Sequence, residues 1–244
     1  MIEVIKRLGA IALDTLYPRT CPVCRDVVTP KGNCVCTECK EMLPYVAEPV
    51  CMRCGRPIDS EQDEFCSSCD RKKFSYERGF AVFAYDDVMQ QAVADFKYRN
   101  RRELAEFFSA ELADVFQKKL SGFGAEAFVP VPIHSARKRY RGYNQAEVLC
   151  KSLSEQTGIP VRELLKRDRK TAPQKELDAA DRLRNLEQAI SFHPAEQERG
   201  MPKTVILVDD IYTTGSTAEA CTRVLLRAGV HKVYLLNLCI VTEW

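Results

Sequence analysis

The sequence predicts an α/β protein with a mainly parallel, Rossmann-like sheet and flanking helices, preceded by a small domain of the zinc-ribbon type. Two apolar runs, at 127–133 and 205–208, have the length and composition of buried parallel strands, and a helical pattern follows each of them. Nine of the twelve cysteines lie between Cys21 and Cys69. A chain of 244 residues, 45% hydrophobic and 29% charged, is long enough for one large or two modest domains.

The first predicted element is an amphipathic helix within residues 1–16. Its apolar face contains Val4, Leu8, Ile11 and Ala12. Charged side chains at positions 3, 6, 7 and 14 argue against a secretory signal, and the stretch is too short for a membrane span. We therefore expect a cytoplasmic protein without a membrane span, whose paired cysteines bind zinc rather than form disulfides.

The predicted metal-binding domain, residues 17–75, contains an internal repeat. Each half has two C-x₂-C pairs separated by eleven residues, which is the ligand number and spacing that tetrahedral Zn²⁺ requires. The expected ligands are Cys21, Cys24, Cys36 and Cys39 for one site, and Cys51, Cys54, Cys66 and Cys69 for the other. We expect two sequential structural sites, with interleaved pairing as the alternative. Cys34 is either a spare thiol or a substitute for Cys36.

Residues 76–244 are predicted to form the α/β domain. Besides the two apolar runs, we predict strands at 80–85, 189–192 and 232–240. Helices are predicted at 88–98, from about 143 onward, and at 216–228. Cys150, Cys221 and Cys239 lie in apolar patterns and are expected in the core. The polar stretch 166–188 is interpreted either as a lid followed by a helix or as disordered surface, and its cations at 166–170 could close over an anionic ligand.

The most specific functional signal is the stretch 204–217, which reads TVILVDDIYTTGST. A strand that leads into a hydroxyl-rich turn at a helix start favours phosphate binding, because free amide groups and the positive end of the helix dipole face the anion. The residues expected to bind the phosphate are Thr213, Thr214, Gly215, Ser216 and Thr217. Asp209 and Asp210 would repel a phosphate and suit sugar hydroxyls near a hard cation such as Mg²⁺. The alternative is an α/β sheet that merely carries two acids at a strand end.

A second candidate surface is basic. The formal net charge is only +2, so attraction to nucleic acid has to come from local patches. One patch follows the strand at 127–133, at the sheet edge where ligands bind in open α/β folds, and another is KYRNRR at 97–102. The predicted nucleic-acid contacts are Lys97, Arg99, Arg137, Lys138, Arg139, Tyr140, Arg141 and Tyr143. Taken alone, either patch could also be solvated surface.

The stretch 204–217 resembles the 5-phosphoribosyl-1-pyrophosphate (PRPP) motif of type I phosphoribosyltransferases. The resemblance implies that Asp209 and Asp210 bind the ribose 2′- and 3′-hydroxyls and that residues 213–217 bind the 5′-phosphate. The two aspartates are then the expected catalytic residues, with Mg²⁺ bound alongside PRPP. Arginine suits bidentate binding of pyrophosphate, so Arg137, Arg139 and Arg141 are the expected ligands of that group.

Four features in order are similar to the ComF (ComFC-type) competence proteins: the CxxC knuckles ending in CMRCGRP, the PVP strand, RKRYRGYNQA and VDDIYTTGST. They span about 21–239, nearly the whole chain. The resemblance implies a zinc domain joined to a type I phosphoribosyltransferase-like fold, and a role in natural transformation, handling single-stranded DNA. It also implies a partner, the companion helicase-like ATPase ComFA.

Two functions are compatible with these residues. An enzyme would bind Mg²⁺ and PRPP and let an acceptor displace pyrophosphate from C1 of the ribose, which needs no side-chain nucleophile. A binding module would hold PRPP or nucleic acid on the same fold, with Tyr98, Tyr140 and Tyr143 available for base stacking. No acceptor pocket is recognisable in the sequence.

Overall fold

A computed structural model describes residues 19–99, 101–167 and 185–242. Its centre is a four-stranded sheet with the strand order β1–β6–β5–β2, in which every pairing is parallel. A separate antiparallel pair joins β3 to β4. The strands are β1 (Arg78–Ala84), β2 (Ala127–Pro130), β3 (Leu165–Arg167), β4 (Ile190–Phe192), β5 (Thr204–Tyr212) and β6 (Lys232–Ile240). The predicted parallel α/β sheet is confirmed.

The cysteine-rich region forms two small units of similar design. A helical turn, α1 (Thr37–Lys40) in the first unit and α2 (Ser67–Arg71) in the second, contains the last cysteine of each unit, and the preceding cysteine is its N-cap residue. The residue after the first pair has a positive φ, 69° at Arg25 and 79° at Gly55. We call these units the first ribbon, residues 19–43, and the second ribbon, residues 49–71.

Helices flank the sheet of the α/β part, and side chains cap the start of several of them. They are α3 (Asp87–Tyr98), α4 (Leu104–Lys119), α5 (Ser135–Arg141), α6 (Gln145–Thr157) and α7 (Ser216–Arg227). The Asp86 carboxylate accepts from the Met89 amide at the start of α3, and the Asn144 side chain accepts from the Ala146 amide at the start of α6. Two 3₁₀ turns, Ser121–Phe123 and Pro194–Arg199, lie in the connections.

The central sheet buries both of its faces, because its strands alternate between two apolar clusters. In β5, Ile206 and Val208 face the cluster that contains residues of α3, α4 and α6, whereas Val205 and Leu207 face the one that contains residues of α7. Leu43 of the first ribbon belongs to the former cluster, and the cysteines of the second ribbon belong to the latter. The ribbons therefore pack on opposite faces of the sheet.

Helix α4 and strand β3 have no counterpart in the sequence prediction, and two further elements differ from it. Strand β5 runs to Tyr212, so the aspartate pair lies within the strand rather than after it. The basic segment after β2 forms a helix, α5, that ends at Gly142 with φ of 80°. The predicted helix at 2–16 and residues 168–184 of the predicted lid lie outside the described residues. The predicted boundary between residues 75 and 76 stays a prediction. Among the described residues, no helix has the length and hydropathy to cross a bilayer.

Candidate functional site

The two groups of four cysteines have the geometry of closed zinc centres. In each group the four Sγ atoms lie within 4.8 Å of one another. A tetrahedral site with Zn–S bonds of about 2.3 Å places its sulfurs about 3.8 Å apart. The Sγ separations of 3.8 Å for Cys54–Cys66 and 4.0 Å for Cys24–Cys36 fit that value. The sequential pairing is confirmed, and each centre is structural because all four positions are thiolates.

The two centres differ in exposure. All four sulfur ligands of the second ribbon belong to buried residues, whereas Cys24 of the first ribbon is exposed. Cys34 is outside both groups, and the Arg19 guanidinium donates to its thiol over 3.5 Å. Cys36 therefore occupies the ligand position, and Cys34 is the spare thiol.

The candidate phosphate turn, residues 213–217, connects β5 to α7. Gly215 is the N-cap residue of α7 and has φ of 79°, a conformation that favours glycine. The hydroxyls of Thr214 and Ser216 lie 2.9 Å apart, and Thr213 is exposed at the outer end of the turn. The first amides of α7 have no partner within the helix, so the turn presents hydroxyl and amide donors together.

The aspartate pair lies beside this turn and differs in its partners. Asp210 forms an ion pair with Lys97 of α3, with 2.9 Å between Nζ and Oδ1, and both side chains are about 15% exposed. Oδ1 of Asp209 accepts from the backbone amide of Asp210 over 2.9 Å. Burial and the charge of Asp210 raise the pKa of the Asp209 carboxyl to about 7, although Lys97 and Arg167 act in the opposite direction. The site thus contains one paired carboxylate and one that titrates near neutrality.

Lys97 of α3 contacts the aspartate pair, and Arg167 of β3 interacts electrostatically with Asp209. Burial lowers the pKa of the Arg167 guanidinium in β3, with the charge of Arg137 in α5 acting in the same direction and Asp209 against it. Arg137 and Arg167 therefore lie close enough to interact electrostatically with each other, and Arg167 also interacts with Asp209. Lys97 and Arg167 were not predicted to belong to the sugar-phosphate site. Their only sequence signal was membership of the basic stretches at 97–102 and 166–170.

The last three residues of α5 line a cavity of about 430 Å³. Its lining residues are Lys97, Tyr98, Arg102, Arg139, Tyr140, Arg141 and Gly142. The Arg141 guanidinium lies 4.8 Å above the Tyr98 ring centre and donates to its hydroxyl over 2.9 Å. Tyr140 is 82% exposed. We call this cavity the basic pocket; it shares Lys97 with the aspartate pair.

Besides Lys97 and Arg141, three other predicted nucleic-acid contacts have intramolecular partners. The Lys138 ammonium forms hydrogen bonds of 2.7 and 2.9 Å to the Glu147 carboxylate. Arg99 is exposed and lies 3.4 Å from Asp95. Tyr143 is buried, its hydroxyl donates to the backbone carbonyl of Phe96, and Arg102 covers its ring. Of the tyrosines considered for stacking, Tyr98 and Tyr140 are the accessible ones.

The chain is similar in sequence to a known domain family and to several known proteins. A family model described as a double zinc ribbon domain matches residues 12–70. The chain is 33% identical over 172 residues to competence protein F of Haemophilus influenzae, a match that covers 67% of this chain and 73% of that protein. It is 30% identical over 149 residues to competence protein ComFC of Bacillus subtilis, covering 61% and 58%. DNA utilization protein YhgH of Salmonella typhi is 31% identical over 168 residues, covering 67% and 72%.

Among solved structures, the chain is similar to the glutamine PRPP amidotransferase of B. subtilis complexed with ADP and GMP. The TM-score is 0.39 at 16% identity, over 58% of this chain and 30% of that one.

Fold and metal centres together define a parallel-sheet α/β protein with an N-terminal double zinc ribbon. The chain is 33% and 31% identical to two of these relatives and covers 73% and 72% of their lengths, so it belongs to the ComF family.

Proposed function

We propose that this protein binds PRPP with Mg²⁺ at the aspartate pair and the phosphate turn, binds single-stranded DNA at the basic pocket, and acts in DNA uptake during natural transformation. The observation that carries the proposal is the junction of β5 and α7. There, two carboxylates lie beside a turn rich in hydroxyl and amide donors, Lys97 of α3 pairs with Asp210, and Arg167 of β3 interacts electrostatically with Asp209. The names of the relatives, two competence proteins and a DNA utilization protein, support the cellular role.

Each part of a phosphorylated, pyrophosphorylated ribose would find a chemically suitable group. The amides and hydroxyls of residues 213–217 donate to the 5′-phosphate, and the carboxylates of Asp209 and Asp210 accept from the ribose hydroxyls. Arg137 of α5, whose charge acts on Arg167, suits the pyrophosphate. Bound Mg²⁺ would neutralise pyrophosphate charge, and carboxylate oxygens are the ligands it prefers.

A sugar-binding role also accounts for the Lys97–Asp210 ion pair. A buried carboxylate needs a partner in the ligand-free protein, and the Lys97 ammonium provides it over 2.9 Å. Once Asp210 accepts from ribose hydroxyls, Lys97 becomes available to an anion on its other side, in the basic pocket.

The DNA-binding proposal depends on the basic pocket. Its guanidinium groups suit backbone phosphates, and the exposed rings of Tyr98 and Tyr140 suit unpaired bases, which stack on aromatic side chains. A duplex does not offer its base faces in this way, so the chemistry favours single strands. The helicase-like ATPase ComFA is the proposed partner and the cytoplasm the proposed compartment, both by family resemblance.

Sugar-phosphate binding is tested by isothermal titration calorimetry with PRPP and Mg²⁺. We expect Asp209→Asn combined with Asp210→Asn to abolish binding, because both hydroxyl acceptors lose their charge. The matched control is Asp63→Asn with Glu64→Gln, an adjacent, exposed acidic pair on the second ribbon. Unaltered PRPP affinity in the first variant would contradict the proposed site.

DNA binding is tested by the salt dependence of affinity for a short single strand. For single strands, log K falls with log salt concentration by about 0.7 for each phosphate neutralised. Arg139→Ala with Arg141→Ala should therefore flatten the slope by about 1.4. The control is Lys118→Ala with Lys119→Ala, which removes two exposed cations at the end of α4. Salt-independent binding, or equal slopes in the two variants, would contradict the assignment.

An active phosphoribosyltransferase is the alternative, and the pKa of Asp209 favours it. A carboxylate with a pKa of about 7 is suited to accept a proton at neutral pH from an incoming nucleophile. The C1–oxygen bond to pyrophosphate would break as a bond forms from C1 to the acceptor, a nucleobase or an amine. Pyrophosphate release, assayed across nucleobases, distinguishes turnover from binding alone.

A further inference from the structure

The second ribbon contacts the candidate phosphate turn directly. The Arg56 guanidinium donates from Nη2 to the backbone carbonyl of Thr213 over 3.1 Å, although 157 residues separate the two in sequence. Arg56 is only 6% exposed, and its bond to the turn is partly buried. A hydrogen bond from a charged donor to a backbone carbonyl restrains that carbonyl's position.

The position of Arg56 depends in turn on the metal centre. Arg56 lies two residues after Cys54, the end of the ribbon's first C-x₂-C pair, and its carbonyl accepts from the Cys51 amide over 2.7 Å. The ribbon is also held closely against the start of β1. A Cβ on Gly55 would lie 2.6 Å from the backbone oxygen of Gly79, so only glycine allows this approach.

Three consecutive residues between the second ribbon and β1 also contact the turn or the start of α7. A Cβ on Gly215 would lie 3.0 Å from the Phe74 ring. The amide and hydroxyl of Ser75 each donate to the buried Glu219 carboxylate over 2.7 Å. The Tyr76 hydroxyl lies 2.8 Å from that of Tyr212, the last residue of β5. Contacts from the second ribbon and its linker thus reach both ends of the turn.

We infer that zinc at the second ribbon holds the phosphate turn in its ligand-binding geometry, and that Arg56 is the positioning residue that transmits this effect. The functional meaning of the inference rests on the proposed PRPP site. The first ribbon has a different relation to the site, since its core residues pack on the opposite face of the sheet. The second zinc centre is therefore part of the architecture of the sugar-phosphate site as well as of its own ribbon.

The ribbon contains a matched control for Arg56. Arg53 belongs to the same turn, and its guanidinium donates to the backbone carbonyls of Tyr76 and, over 3.0 Å, Glu77. It therefore connects the ribbon to the linker without contacting the phosphate turn. Arg56→Met and Arg53→Met each remove one guanidinium from the same ribbon, and only the first removes a bond to residue 213.

The experiment compares Arg56→Met, Arg56→Lys and Arg53→Met by hydrogen–deuterium exchange of residues 213–217, zinc content and PRPP calorimetry. In Arg56→Met we expect two zinc ions per chain, faster exchange in the turn, and PRPP affinity about tenfold lower, as for the loss of one charged hydrogen bond. Arg56→Lys keeps a cationic donor and should recover part of both effects. Arg53→Met should leave turn exchange and PRPP affinity at wild-type values.

Equal turn exchange in Arg56→Met and Arg53→Met would overturn the inference. The exchange measurement requires no ligand, so it decides the positioning role even if the wild-type protein ignores PRPP, an outcome that would refute only the proposed function. If Arg56→Met fails to fold, Phe74→Leu tests the same support from outside the metal knuckle. Faster turn exchange in Phe74→Leu, with two zinc ions retained, supports the inference, and unchanged exchange opposes it.

Discussion

Replacing Asp209 with asparagine should stabilise the protein while weakening the proposed PRPP binding. The Asp209 carboxyl has a pKa of about 7 in the folded protein, against an ordinary value of 3.8. One pKa unit corresponds to about 1.4 kcal/mol, so the rise costs at most about 4 kcal/mol of folding free energy above neutral pH. Partial exposure of the side chain reduces this cost, and we expect Asp209→Asn to gain about 1–3 kcal/mol.

The pH dependence follows from the direction of the shift. Below pH 3.8 both the folded and the unfolded states carry a neutral carboxyl, so the variant and wild type should have equal stability. Between pH 3.8 and about 7 only the unfolded state ionises, which lowers wild-type stability progressively. The advantage of the variant should therefore grow across this range and level off above pH 7.

Urea denaturation followed by circular dichroism, at about pH 4, 6 and 8, measures this difference. Asp210→Asn is the matched control, because it removes the neighbouring charge and breaks the ion pair with Lys97. We expect it to bring no comparable gain, since Asp210 already has a close cationic partner. The reasoning is refuted if Asp209→Asn is no more stable than wild type at pH 8, or if its advantage is the same at pH 4.

Three further predictions concern the ribbons and their attachment. In urea denaturation, Gly55→Ala should lower the free energy of unfolding by about 2 kcal/mol or more, because its Cβ would meet a backbone oxygen at 2.6 Å. Gly32→Ala, whose Cβ would have nothing within 4 Å, should lower it by about 1 kcal/mol. Equal losses of stability in the two variants would contradict the close approach of Gly55 to β1. Chelator titration with a colorimetric zinc reporter should release the first-ribbon zinc faster, since Cys24 is exposed, and a single phase for both ions would oppose this. Asp95→Asn should lower the free energy of unfolding by about 2 kcal/mol, because three arginines surround that buried carboxylate. Arg99→Met should be nearly neutral in the same denaturation experiment, because the Arg99 side chain is 63% exposed. Similar losses of stability in both variants would mean that the ion-pair cluster is not centred on Asp95.

Much of the fold could be predicted because its signals are local. Strand β6 was predicted with its observed bounds, since an apolar run between turn residues specifies a buried strand. The zinc ligands were predicted because C-x₂-C spacing places two thiolates on one tight turn. Cys34, which belongs to no such pair, was correctly set apart as a spare thiol.

The environment of the candidate site depends on contacts that no local pattern encodes. The partner of Asp210 is Lys97, more than a hundred residues earlier, and the support for the phosphate turn comes from Arg56. Tyr143 was predicted to be a surface contact because it follows a basic run. It is instead buried, since its ring completes the packing around Phe96.

By itself, the sequence determined the four strands of the central sheet, the helices α3, α6 and α7, the eight zinc ligands and the residues of the DD–TTG turn, because hydrophobic period, ligand spacing and turn chemistry act over a few neighbouring residues. Only the tertiary structure decided which cation pairs with which carboxylate, why Asp209 titrates near neutrality, and which ribbon supports the turn. Those properties depend on burial and on distances of a few ångströms between distant segments. Such distances exist only after the sheet and the ribbons have packed together.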